Sequence, residues 1–99
     1  MIIRSSDFDH WLLELADQKA KARILARLRS AAAGNFGDCE SVGEGVYEMR
    51  VHFGPGYRIY FTRTGAAIYV VLMGGDKSSQ KQDIARAKIM ARELKESKP

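Results

Sequence analysis

The stretch Val46-Tyr47-Glu48-Met49-Arg50-Val51-His52-Phe53, Gly54-Pro55-Gly56, Tyr57-Arg58-Ile59-Tyr60-Phe61 decides how this chain folds. Side chains along a β-strand alternate between its two faces. The first run therefore sends Tyr47, Met49, Val51 and Phe53 to one face and Glu48, Arg50 and His52 to the other. The second sends Tyr57, Ile59 and Phe61 one way and Arg58 and Tyr60 the other. The Gly-Pro-Gly link makes the pair a hairpin. One hairpin face can bury its apolar set while the other gathers two guanidiniums, an imidazole, a phenol and a carboxylate. Such a set suits a polyanion.

Working outward, Met1 to Arg4 reads as a short strand. Ser6 is the expected N-cap of a helix reaching about Ala16, with Phe8, Trp11, Leu12 and Leu15 on one face. A second helix is expected from about Lys19 to Ala33, with Ala20, Ile24, Leu28 and Ala31 as its core stripe and Gly34-Asn35 ending it. Cys39 to Val42 reads as a strand, and Ala66 to Met73, apolar on both faces, as a central strand covered on both sides. Ser79 to Gln82 matches a capping box. The last helix then carries Ile84, Ala87, Ala91 and Leu94 on one stripe, and a polar end from Glu93 to Pro99 that should fray. The order β-α-α-β-β-β-β-α predicts an α+β fold. In it, an N-terminal helical hairpin packs on a small, mostly antiparallel, twisted sheet with a C-terminal helix.

Ninety-nine residues make a single domain, spanning 1–99. No apolar run approaches the roughly 20 residues of a membrane span, and no signal-peptide pattern opens the chain. A lone Cys39 forms no internal disulfide, and no Cys or His spacing points to zinc. A cytoplasmic protein without metal, cofactor or membrane partner is expected. The net charge is +4, unevenly spread: residues 18–33 hold Lys19, Lys21, Arg23, Arg27 and Arg29 and no acid. A segregated basic surface favours an acidic or polyanionic partner.

Three segments together carry a family resemblance: Val46-Tyr47-Glu48-x-Arg50, Gly54 to Phe61, and Gly74-Gly75-Asp76-Lys77-Ser78-Ser79-Gln80 followed by Asp83-Ile84. With Phe8-x-x-Trp11-Leu12, the chain resembles the RelE/ParE toxin superfamily, in its phage-derived addiction-module killer branch related to HigB. The resemblance implies a RelE-like fold and the toxin of a type II toxin–antitoxin system. It also implies an endoribonuclease, or mRNA interferase, that cleaves messenger RNA on the ribosome. The implied partners are a cognate antitoxin of helix-turn-helix type, the ribosome and its messenger, and operator DNA through the antitoxin. Members of that superfamily often add a Tyr or His near the C-terminus. Here the tail Lys95-Glu96-Ser97-Lys98-Pro99 has neither, which moves the candidate chemistry to the hairpin and Lys77.

Metal-independent RNA cleavage needs an aligned 2′-OH, proton transfer, and stabilisation of charge on phosphorus. Arg50 and Arg58 suit the last task because a guanidinium matches phosphate oxygens bidentately. His52 titrates nearest neutrality and is the candidate acid or base, with Glu48 a second carboxylate base. Lys77 is the remaining catalytic candidate. Tyr60 can stack on a base, and the stripe Lys19, Arg23 and Arg27 can track RNA. Each has a plainer reading: a cross-strand ion pair for Glu48 and Arg50, a solvated His52 and Lys77, sheet packing for Tyr60, and a solvated helix face for the stripe. Gly54, Gly56, Gly74 and Gly75 read as turn residues. Two rival functions stand beside the nuclease: a ParE-like poison of DNA gyrase, and a catalytically defective toxin that only binds its antitoxin.

Overall fold

The computed structural model describes residues 1–97. The chain runs β1 (Ile2–Arg4), α1 (Ser6–Glu14), α2 (Gln18–Ala32), β2 (Cys39–Gly43), β3 (Val46–Val51), β4 (Tyr57–Arg63) and β5 (Tyr69–Asp76). A 3₁₀ turn, Lys77–Ser79, then leads into α3 (Gln80–Glu96). The strands lie in the order β1-β5-β4-β3-β2, with β1 parallel to β5 and every other pair antiparallel. This is an α+β fold on a five-stranded mixed sheet. Among the described residues no helix is long and apolar enough to cross a membrane.

Helices α1 and α2 cover one face and α3 the other. Under α1 and α2 lie Phe8, Leu12, Ala20, Ile24, Leu28 and Ala31, packed on Met49, Val51, Tyr57, Ile59, Phe61 and Val71. Under α3 a smaller cluster joins Val46, Tyr60 and Leu72 to Ala87. The expected stripes are the ones that pack, except that Leu94, last of the α3 stripe, lies outside the cluster. Tyr47, at the end of the first face, lies beyond the helices and stacks on Phe61 with ring centroids 5.5 Å apart.

Several boundaries differ from expectation, each for a local reason. Ser5, not Ser6, caps α1: its hydroxyl accepts from Phe8 N at 3.0 Å and donates to Leu72 O at 2.6 Å. Asp17 caps α2 by accepting from Lys19 N and Ala20 N. The first hairpin strand stops at Val51, because Phe53 N turns back to Val51 O at 2.8 Å; His52 and Phe53 belong to the turn. Strand β5 begins at Tyr69 rather than Ala66 and continues through Gly74 and Gly75. Those two glycines are therefore strand residues, not turn residues. A Cβ at Gly74 would overlap the Trp11 indole, and one at Gly75 the Asp83 carboxylate, so both serve close approach of the helices. The capping box does not form. Ser79 makes no side-chain cap and instead donates to Asp83 Oδ2 at 2.6 Å, while Asp76 caps the 3₁₀ turn by accepting from Ser78 N. The last helix is continuous to Glu96; of the end expected to fray, Lys98 and Pro99 lie outside the described residues.

Candidate functional site

The register of β3 on β4 places Glu48 opposite Tyr60 and Arg50 opposite Arg58, all on the α3 side. Glu48 is only 1% exposed. Its Oε2 accepts from the Tyr60 hydroxyl at 3.1 Å and from Gln80 Nε2, at the start of α3, at 2.8 Å. Arg58 Nε lies 3.6 Å from the same oxygen, and Arg50 Nε lies 3.4 Å from Oε1. A buried carboxylate is tolerated only when so compensated. Burial, and then the charge of Glu48, push the Tyr60 phenol far up, so it remains a neutral donor. Tyr60 is fully buried, and the expectation that it stacks on an RNA base is corrected: its ring is core.

Arg58 is mostly covered. Its Nη1 donates to Gly56 O at 2.7 Å, while its Nε is buried without a hydrogen-bond acceptor. Gly56 has φ +80, and a Cβ there would sit 3.2 Å from Arg58 Nη1 and 3.6 Å from Lys77 Cβ. The absence of a side chain at this turn thus leaves room for Arg58 and the exposed Lys77 against it. Arg50 is differently placed. Three carboxylates surround it: Asp38 at 2.9 Å, Glu48, and Glu40 in the closest contact of the three. The bond to Glu40 is the main reason its guanidinium is held protonated even more firmly than usual.

His52 is not part of this cluster. It is exposed in the turn with Nε2 2.5 Å from Asp38 Oδ2, so Asp38 bridges His52 and Arg50. The bond from His52, followed by the charge of Arg50, holds the Asp38 carboxyl below the usual carboxylate range. The basic stripe on α2 also divides. Arg27 is a staple, donating to Arg50 O, to Phe36 O at 2.9 Å and to Asp38 O at 3.4 Å. The Arg23 guanidinium lies 4.8 Å from the centroid of the Phe53 ring. Lys19 is exposed at the start of α2. Arg27 is thus corrected from an RNA contact to a structural residue.

Asp38, Gln80 and Asp83 join the site without having been given a site role in the sequence. Gln80 and Asp83, three and six residues after Lys77, stood in the motif that carried the resemblance, a signal that was present. Asp38 reaches Arg50 through the pairing of its carbonyl with Arg50 N at 2.9 Å, which no spacing announces.

A two-helix and one-helix cover on a mixed sheet, with a compensated carboxylate between two arginines on the one-helix side, defines the class of this domain. Residues 10–95 match the family described as Phage derived protein Gp49-like (DUF891), and the chain belongs to that family. It is also 46% identical over 87 residues to an uncharacterized protein of Haemophilus influenzae (strain Rd), covering 88% of each chain. The Gp49-like family is distinct from the RelE/ParE superfamily, so the membership drawn from the motif resemblance is corrected to this phage-derived family.

Proposed function

We propose that this chain is the toxin of a toxin–antitoxin pair and a metal-independent endoribonuclease that cuts messenger RNA on the ribosome, using the α3 side of the sheet. The observation that carries the reading is Arg58: a covered guanidinium whose buried Nε has no acceptor, fixed by Gly56 beside exposed Lys77. A phosphate oxygen can meet the part of this guanidinium that stays exposed, 13% of the side chain. In the reaction we envisage, the 2′-oxygen attacks the adjacent phosphorus and the bond to the 5′-oxygen breaks, leaving a cyclic phosphate and a 5′-hydroxyl. Arg58 and Lys77 stabilise the added charge on phosphorus. Once RNA displaces the Gln80 amide from it, Glu48 takes the 2′-proton, and Lys77 donates the proton that the leaving 5′-oxygen gains. His52, tied to Asp38 outside the cluster, and Arg50, encircled by acids, take lesser parts. The partners in this reading are the ribosome with its messenger, and a helix-turn-helix antitoxin that connects the chain to operator DNA.

The test is induced expression with mapping of messenger 5′ ends, comparing wild type with Arg58→Ala. Wild type should cut within translated regions, and cleavage on intact ribosomes should persist in EDTA. Arg58→Ala should lose about 10²–10³ in rate, with Arg58→Lys restoring only part of it. Intact transcripts with disturbed DNA supercoiling would identify a gyrase poison instead, and neither effect would identify a defective toxin.

A further inference from the structure

An open cleft of about 530 Å³ lies at the far end of α3 from Gln80, between the β2–β3 turn, the end of β4 and the last turns of the helix. Ala91 and Leu94 form its floor, and Arg63, Arg92 and Lys95 stand around it. Its lining contains one acid, Glu44, whose carboxylate reaches Arg92 Nε at 3.4 Å and Lys88 Nζ at 4.0 Å. Glu44 sits between Gly43 and Gly45 with φ +54, the one non-glycine residue of positive φ among the described residues. Glycine adopts that conformation freely, and a glutamate does not. A solvated helix face would account for the cations, but not for a carboxylate kept at a position whose backbone favours glycine.

We infer that this cleft is a docking site for an acidic segment of a partner protein, with Glu44 standing in for a partner carboxylate while the cleft is open. Lys88, which borders the cleft through its contact with Glu44, and Arg92, in the lining, are one helical turn apart, about 6 Å at 1.5 Å per residue. Carboxylates two residues apart on an extended segment are separated by about 6.6 Å and lie on the same side of it, so a strand of alternating acidic residues matches the row. Acidic protein is favoured over RNA because no aromatic side chain lines the cleft for a base to stack on. Arg63 is already committed to the carbonyls of Gly65 and Ala66, which leaves α3 to recognise the ligand. The inference is independent of the nuclease reading. Thr62, in the lining, is four residues along β4 from Arg58, about 13 Å.

Fluorescence anisotropy on the full chain tests it with three labelled probes. These are a ten-residue peptide alternating glutamate with leucine or alanine, its glutamine counterpart, and a ten-nucleotide single-stranded RNA. The glutamate peptide should bind about tenfold tighter than the glutamine peptide, and less tightly as salt rises. Arg92→Ala with Lys95→Ala should remove about that tenfold while leaving RNA binding unchanged. Glu44→Gly should tighten peptide binding, because it removes the internal competitor and gives the turn the residue its backbone prefers. Equal affinity for the two peptides would overturn the proposal. So would a Glu44→Gly variant that binds no better than wild type, or a double variant that loses RNA and keeps the peptide. Should the double variant unfold, Lys95→Ala alone, at an exposed position, carries the same comparison.

Discussion

On the α1–α2 side of the sheet, twelve buried residues form one continuous apolar cluster with no buried charge among them. On the α3 side, only Val46, Leu72 and Ala87 are buried apolar residues of the cluster, and they share the surface with a fully buried carboxylate, the buried Tyr60 phenol and two guanidiniums. The same five strands supply both faces. The difference lies in what each helix brings: α1 and α2 bring Phe8, Leu12, Ile24 and Leu28, whereas α3 brings Ala87 with Gln80 and Asp83. A domain of this size has a net stability of about 5–15 kcal/mol. Concentrating apolar burial on one face leaves the other free to hold groups that lower stability.

The strongest way to break this comparison is Phe8→Ala. It should destabilise the chain by about 3–5 kcal/mol in urea unfolding, whereas Leu13→Ala, at an exposed position of the same helix, should stay within about 0.5 kcal/mol. A small loss at Phe8 would mean that the first face does not carry the fold. Next come the adjacent glycines, which face opposite sides. Gly74→Ala drives a methyl group into the Trp11 indole and should lose about 1–3 kcal/mol. Gly75→Ala meets the Asp83 carboxylate, which can swing aside once its bond to Ser79 breaks, and should lose less. Thermal melts of the two variants decide the order.

Glu48→Gln sharpens the contrast on the α3 side. It leaves Arg58 without its carboxylate neighbour, while Arg50 retains Asp38 and Glu40. Stability should fall by about 1–2 kcal/mol, RNA should bind more tightly, and single-turnover cleavage should slow by about 10²–10⁴. Tighter binding with unchanged cleavage would remove Glu48 from proton transfer. The smallest effect is expected at Asp38. Its folded pKa is depressed below the ordinary 3.8, so its contribution is present above that value and is lost as pH falls through the folded one. Melting temperature followed from roughly pH 5 to pH 3 should therefore decline less steeply in Asp38→Asn than in wild type.

The face assignments were legible from alternation alone. Met49, Val51, Ile59 and Phe61 point to one side and Glu48, Arg50, Arg58 and Tyr60 to the other, because strand geometry leaves no third choice. Helix stripes were equally readable, since Ala20, Ile24, Leu28 and Ala31 follow the helical repeat. What sat within each face was harder to read. Alternation places Tyr60 and Arg58 on one side without revealing that α3 would cover the first completely and the second only in part. Arg27 reads as one member of a basic stripe until the Phe36–Asp38 loop folds back to meet it. Gly74 and Gly75 look like turn residues because their partners, Trp11 and Asp83, lie far away in sequence. Motif similarity carried the general character of the hairpin but led to a different family from the one that residues 10–95 match.

The parallel pairing of Ile2 with Tyr69 and of Arg4 with Val71 has a consequence for how the chain is made. The strand synthesised first has as its partner the strand synthesised last. Helices α1 and α2 can form early from local contacts, yet the surface they cover is incomplete until β5 arrives between β1 and β4. Such distant pairing closes a long loop and slows folding relative to hairpin formation. A nascent chain that already contains Arg50 and Arg58 on their hairpin still lacks Lys77, Gln80 and the strand that unites the sheet. Synthesis order therefore delays assembly of the arginine-flanked site until after β5 has emerged.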